Sequence, residues 1–144
     1  MTTVFESELL LKRALDINPF HAHAHNNLAT LLAGQHRLEE AASHYIQAIA
    51  TDPAHRSARF NLGRTLVALG RPREAIPQFE RLLARDDADA PRVGLALATA
   101  WFAVDDAPKA FAYGEQAHRS AIAHGQDELA ATIEAMLRKM KARQ

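Results

Sequence analysis

The sequence predicts an all-α fold built from antiparallel helix hairpins, and three observations carry that reading. Six glycines and six prolines fall at intervals between long segments rich in alanine and leucine, and those segments place apolar residues with helical rather than alternating periodicity. Strand formers cluster nowhere, and the β-branched residues are scattered among residues of good helix propensity. The chain also resembles itself at a shift of 34 residues, Asn27 to Asn61. Setting NNLATLLAGQHRLEEAASHYIQAIATDP over FNLGRTLVALGRPREAIPQFERLLARDD pairs Leu28 with Leu62, Ala29 with Gly63, Leu32 with Leu66, Glu40 with Glu74, Ala41 with Ala75, Tyr45 with Phe79, Ile49 with Leu83 and Asp52 with Asp86. The small residues in this pattern let helix backbones approach closely, and the leucines and aromatics fill the space around them. A hairpin of this kind cannot bury its apolar faces alone, so successive hairpins stack into a linear core.

Eight helices follow, over 5–17, 22–34, 38–51, 56–69, 72–85, 91–104, 107–124 and 127–142. In the first, Leu11, Ala14, Leu15 and Pro19 align on Tyr45, Ala48, Ile49 and Pro53. It is therefore a second helix without a first-helix partner, and its flank around Leu9, Leu10 and Leu11 is expected to lack its usual cover. The next four helices are the two matched hairpins. Pro72 suits a first helical turn, whereas Pro77 sits deeper and is expected to bend its helix. A third hairpin follows at a shift of 35: Leu97 and Ala98 match Leu62 and Gly63, Trp101 matches Leu66, Ala110 matches Ala75, and Ala117 matches Leu82. Gly114 falls on the aromatic position of Tyr45 and Phe79, so Phe111 or Tyr113 is expected to fill that volume. The last helix gathers Leu129, Ile133, Leu137 and Met140 on one face, which suits a cap, with Asp127 expected at its N-terminus.

These residues resemble the tetratricopeptide repeat over roughly 7–124, two antiparallel helices per unit. The resemblance implies a right-handed α-solenoid and a single domain, 1–144. A half repeat would occupy 5–21, full repeats 22–55 and 56–89, a degenerate third repeat 90–124, and a capping helix 125–144. It further implies a concave groove, lined by first helices, that holds an extended peptide. Carried onto this sequence, the groove falls on Asn26, Asn27, Thr30, Phe60, Asn61, Arg64, Arg92 and Phe102, with His23, Ser57, Ala68, Leu95 and Thr99 beside them. Asn27 and Asn61 resemble the asparagine ladder in the repeats of O-GlcNAc transferase; a side-chain amide both donates and accepts, and so holds a peptide backbone without reading its sequence. The alternative for both is capping or bridging between units. Of the carboxylate clamp of chaperone-tail-binding members only the middle asparagine, Asn61, survives. Asn26 and Thr30 stand where the first pair would be, and Pro91 and Leu95 near the last.

Composition narrows the classes of function. Seventeen basic residues balance seventeen acidic ones, so no global field favours nucleic acid or an anionic membrane. There is no cysteine, hence no disulfide and no thiolate ligand or nucleophile. No run approaches a membrane span, and MTTVFESELLLKR has an acid where a signal peptide carries base. A cytoplasmic protein is expected, with the periplasm left open.

The histidines of PFHAHAHNNLA look like metal ligands in bare text. Pro19 ends the half repeat and a helix begins near Ala22, so His21 lies in the linker, His23 and His25 lie on the first turn, and the trio does not converge. His25 reads as a packing residue. Glu39 and Glu40, flanked by His36 and His44, face water in an early helical turn. Ser43 and His44 are adjacent and point apart. RDDADAP lacks the EF-hand spacing, and no glycine loop cradles phosphate. No metal and no cofactor is expected. The reading is a non-enzymatic scaffold for another protein's peptide segment. Its alternatives are the recognition module of a larger enzyme, such as a glycosyltransferase or sulfotransferase, and a homo-oligomer formed through the N-terminal half repeat.

Overall fold

The computed structural model describes residues 3–144, and all regular structure among them is helical. The helices are α1 (Val4–Ile17), α2 (Ala22–Gly34), α3 (Leu38–Thr51), α4 (Arg56–Ala68), α5 (Pro72–Leu82), α6 (Ala90–Ala103), α7 (Ala107–Ala123) and α8 (Asp127–Ala142). Most ends fall within a residue of the expected ones. The exception is α5, which stops three residues before 85, because the acidic loop after it is held outside the helix: Asp87 Oδ1 accepts from the Asp89 backbone at 3.0 Å and Asp86 Oδ1 from the Ser120 hydroxyl at 2.8 Å. Asp127 is not the N-cap of α8. It stands inside the first turn, where its charge favours the helix dipole, and Gln126 occupies the cap position with no side-chain bond to the helix. No helix among the described residues is long and apolar enough to cross a membrane.

The chain falls into two compact units, one through Gly70 and one from Arg71 onward, and the two share a plan. In the first, α2 and α3 form the central hairpin, α1 packs on α2, and α4 packs on α3 and touches α2; in the second, α6 and α7 form the hairpin, α5 packs on α6, and α8 packs on α7 and touches α6. Left-handed residues close α2, α4 and α6 at the same place in the repeat, and a fourth closes α7. His36 and Asp105 have φ of 60° and 64°, and Gly70 and Gly125 have φ of 74° and 69°. At three of these ends the Schellman pair of bonds is complete, for example Arg37 N–H to Leu32 O at 2.9 Å with His36 N–H to Ala33 O at 3.0 Å, which satisfies carbonyls the helix leaves unpaired.

The first core is filled by Leu28, Ala29 and Leu32 of α2 against Ala41, Tyr45 and Ala48 of α3. An ion-pair chain ties α1 to this hairpin: Lys12 to Glu8 at 2.7 Å, Glu8 to Arg37 at 2.9 Å and Arg37 to Glu40 at 2.8 Å. Hydrogen bonds from Lys12 and then Arg37 hold the Glu8 carboxyl below the usual carboxylate range. In the second core the helices approach through glycine. A Cβ on Gly94 would stand 2.7 Å from Ala117 Cβ, and one on Gly114 would stand 2.5 Å from Leu137 Cδ2. The volume of the missing third-repeat aromatic is therefore taken by Leu137 of α8; Phe111 and Tyr113 are only half-buried.

Candidate functional site

In the first unit α2 and α4 lie side by side, and each presents a stripe at i, i+3, i+7 that is polar at its first two positions and small at the third. The stripe is Asn27, Thr30 and Gly34 on α2, and Asn61, Arg64 and Ala68 on α4, the same register one repeat apart. Between them lies an open groove of about 340 Å³ bordered by Thr30, Gly34, Tyr45, Asn61, Arg64 and Ala68. Small side chains at Gly34 and Ala68 leave room for a backbone.

The polar groups of this groove are linked to one another and to Asn26 beside it. Asn61 Nδ2 donates to Asn26 Oδ1 at 3.5 Å, so the amide contact across the two helices uses Asn26, while Asn27 stands exposed beside it. Thr30 donates its hydroxyl proton to Asn26 O at 2.9 Å. Its oxygen then accepts from the Tyr45 hydroxyl, 3.1 Å away, because a hydroxyl has one proton to give. Burial pushes the Tyr45 phenol pKa up, which keeps that donor protonated. Thr65 donates to Asn61 O at 2.8 Å and steadies the turn that carries the amide. The Arg64 guanidinium lies over the Phe60 ring, 5.8 Å from its centroid. Phe60 is only 6% exposed, so its ring supports Arg64 and leaves little apolar surface for a ligand, contrary to the contact expected of it. The Tyr45 hydroxyl was not legible as part of the groove; its signal is the tyrosine that replaces phenylalanine at the aromatic position, compared with Phe79.

The second unit holds the remaining expected residues. Arg92 is exposed on α6, its guanidinium 3.8 Å from the Asp89 carboxylate, and Phe102 is half-buried one helix-length away. Thr99, between them, donates to Leu95 O at 2.9 Å and lies 3.5 Å from Met136 Sδ of α8.

The histidine run is dispersed into separate roles. His21 accepts at Nδ1 from Ala24 N–H at 3.1 Å and caps α2; its repeat equivalent His55 accepts from Ala58 N–H at 3.2 Å and caps α4. His23 Nδ1 meets His55 Nε2 at 3.2 Å. His25 Nε2 donates to Pro19 O at 2.7 Å, and its Nδ1 faces His44 Nδ1 at 3.0 Å. Arg59, one repeat on, makes the matching bond to Pro53 O at 3.1 Å. Among the described residues no three His, Asp or Glu side chains gather as metal ligands.

Two units of alternating helices, hairpins closed by left-handed turns, and a polar stripe on successive first helices define a helical-hairpin repeat protein. Two family models described as tetratricopeptide repeat match residues 32–100 and 10–42. The chain belongs to the tetratricopeptide repeat family. Solved structures of similar fold include MamA of MSR-1, at TM-score 0.74 and 21% identity over 84% of this chain and 69% of that one. MamA of AMB-1 aligns at 0.71 and 24% over 78% and 61%, and MamA 41-end from Desulfovibrio magneticus RS-1 at 0.74 and 15% over 98% and 87%. The chain thus spans less than two thirds of the AMB-1 chain. No curated protein matches the sequence.

Proposed function

We propose that the protein is a non-enzymatic interaction scaffold in the cytoplasm and that the α2–α4 face receives an extended peptide segment of another protein. One observation carries this reading: the groove combines space beside Gly34 and Ala68 with the Asn61 amide, the hydroxyls of Thr30, Tyr45 and Thr65, and the Arg64 guanidinium, and Asn26 bonds to that amide from the neighbouring helix. Asn26, Asn61 and Thr30 can meet main-chain N–H and C=O groups of any sequence, and their mutual bonds hold them in place before a ligand arrives, which reduces the ordering cost of binding. Arg64, braced on Phe60, supplies a site for a carboxylate or a carbonyl. Asn27 extends the polar rim. Arg92 and Phe102 offer the corresponding contacts on α6.

The test is calorimetry with peptides selected against the whole chain. Asn61→Ala and Arg64→Ala are each expected to weaken binding by about tenfold, equivalent to about 1.4 kcal/mol. Wild-type affinity in both variants would remove the groove from consideration. A second reading, association of the chain with itself through α1, is favoured by the exposure of Phe5, Leu10 and Ile17 on that helix, 75%, 58% and 87%.

A further inference from the structure

None of the 14 residues of α1 is buried. Its inner side, Leu11, Ala14 and Leu15, is half-covered, and α2 is the helix it packs against. The opposite side carries Leu9 and Leu10, 41% and 58% exposed. At about 100° per residue, Glu6, Leu9, Leu10 and Arg13 fall at i, i+3, i+4 and i+7 on one stripe. An acid stands at one end, a base two turns on, and leucines between. Of the neighbouring charges, Lys12 is bound to Glu8, which is bound to Arg37; Glu6 itself accepts from the Thr3 backbone N–H at 3.0 Å through one of its two carboxylate oxygens, as the capping box of α1.

We infer that this stripe docks on the same stripe of a second copy of the chain, antiparallel, about a two-fold axis passing between Leu9 and Leu10. The pattern is self-complementary in that orientation alone. Glu6 then faces Arg13 of the second copy and Arg13 faces its Glu6, while at the centre Leu9 meets Leu10 of the second copy and Leu10 meets its Leu9. A parallel pairing would oppose Glu6 to Glu6 and Arg13 to Arg13. An isologous contact of this kind closes as a dimer and does not propagate. One helix per copy is a small interface, so dissociation on the order of 10–100 μM is expected.

This pairing rests on the self-association reading and is independent of the groove. It is tested by sedimentation velocity on the full chain from roughly 5 to 500 μM, a range bracketing the expected dissociation constant. The wild type is expected to shift from monomer to dimer. Leu10→Glu is expected to stay monomeric with an unchanged circular dichroism spectrum, because the side chain is exposed. Glu6→Arg and Arg13→Glu are each expected to weaken self-association about tenfold, and an equimolar mixture of the two is expected to recover it, since each variant then meets opposite charge at both sites. A dimer that survives Leu10→Glu, or charge variants that change nothing alone or mixed, would overturn the antiparallel pairing and leave self-association standing. A wild-type monomer at every concentration, including one whose Leu10 is covered by a different protein, would overturn both.

Discussion

The central hairpins of the two units solve one packing problem in opposite ways. Between α2 and α3 the space is filled: Tyr45 is 2% exposed, its hydroxyl meets Thr30, and the His25 and His44 rings bridge the helices at 3.0 Å. Between α6 and α7 it is closed up, with Gly94 against Ala117 and Gly114 opening a notch that a leucine from the next helix enters. Interiors must reach near-crystalline density, and the comparison teaches that a repeat can do so by widening a side chain or by removing one, provided the neighbour compensates. The filled hairpin depends on volume and polar pairing, the closed one on the absence of atoms.

A series of measurements would break or sharpen that contrast. The largest effect is expected from Tyr45→Ala, which leaves a cavity in the filled hairpin and should lower stability by about 3–5 kcal/mol in urea unfolding; Tyr45→Phe, which loses only the hydroxyl bond, should cost about 1 kcal/mol. In the closed hairpin Gly94→Ala should cost about 1–3 kcal/mol by overpacking, because the new methyl meets Ala117 close to its backbone, with Ala117 Cα at 3.4 Å. Gly114→Ala should be milder, since it meets the far end of Leu137, and Leu137→Ala should offset part of it in a double-mutant cycle.

Acidification should weaken the filled hairpin. Burial, and then the charge of His25, hold His44 below the ordinary imidazole value of 6.5, with Glu40 acting in the opposite direction and Lys12 in the same. The unfolded chain therefore takes up its proton at higher pH than the folded one. The contribution is complete above 6.5 and is lost as pH falls through the lowered folded value. The urea midpoint should be lower at about pH 5 than at about pH 7.5, a span that brackets the histidine range, and His44→Leu should flatten that difference. A slope unchanged in the variant would assign the effect to other histidines. The smallest effect is a gain: His36→Gly and Asp105→Gly relieve left-handed backbone and should each raise stability by up to about 1 kcal/mol.

Helix existence, order and most boundaries were legible because glycine, proline and the apolar period act locally. Where expectation and structure part, the cause is a partner distant in sequence. Nothing near Gly114 announces Leu137, twenty-three residues on. The choice of Asn26 over Asn27 as the partner of Asn61 depends on how two helices rotate against each other, which repeat alignment leaves free. Phe60 shares the groove's helical face by register, yet its ring turns inward under Arg64. That His21 and His55 cap helices through ring nitrogens depends on the turn geometry, since imidazole is not among the usual capping side chains.

The Gly114–Leu137 contact also limits how this chain can be lengthened or recombined. Repeat proteins invite insertion of extra units between the last hairpin and its end piece, on the premise that each joint is interchangeable. Here the joint is keyed. A unit inserted between α7 and α8 would carry Leu137 away and leave Gly114 facing a residue chosen for an aromatic neighbour, so α7 and α8 should be transplanted together, as one cassette.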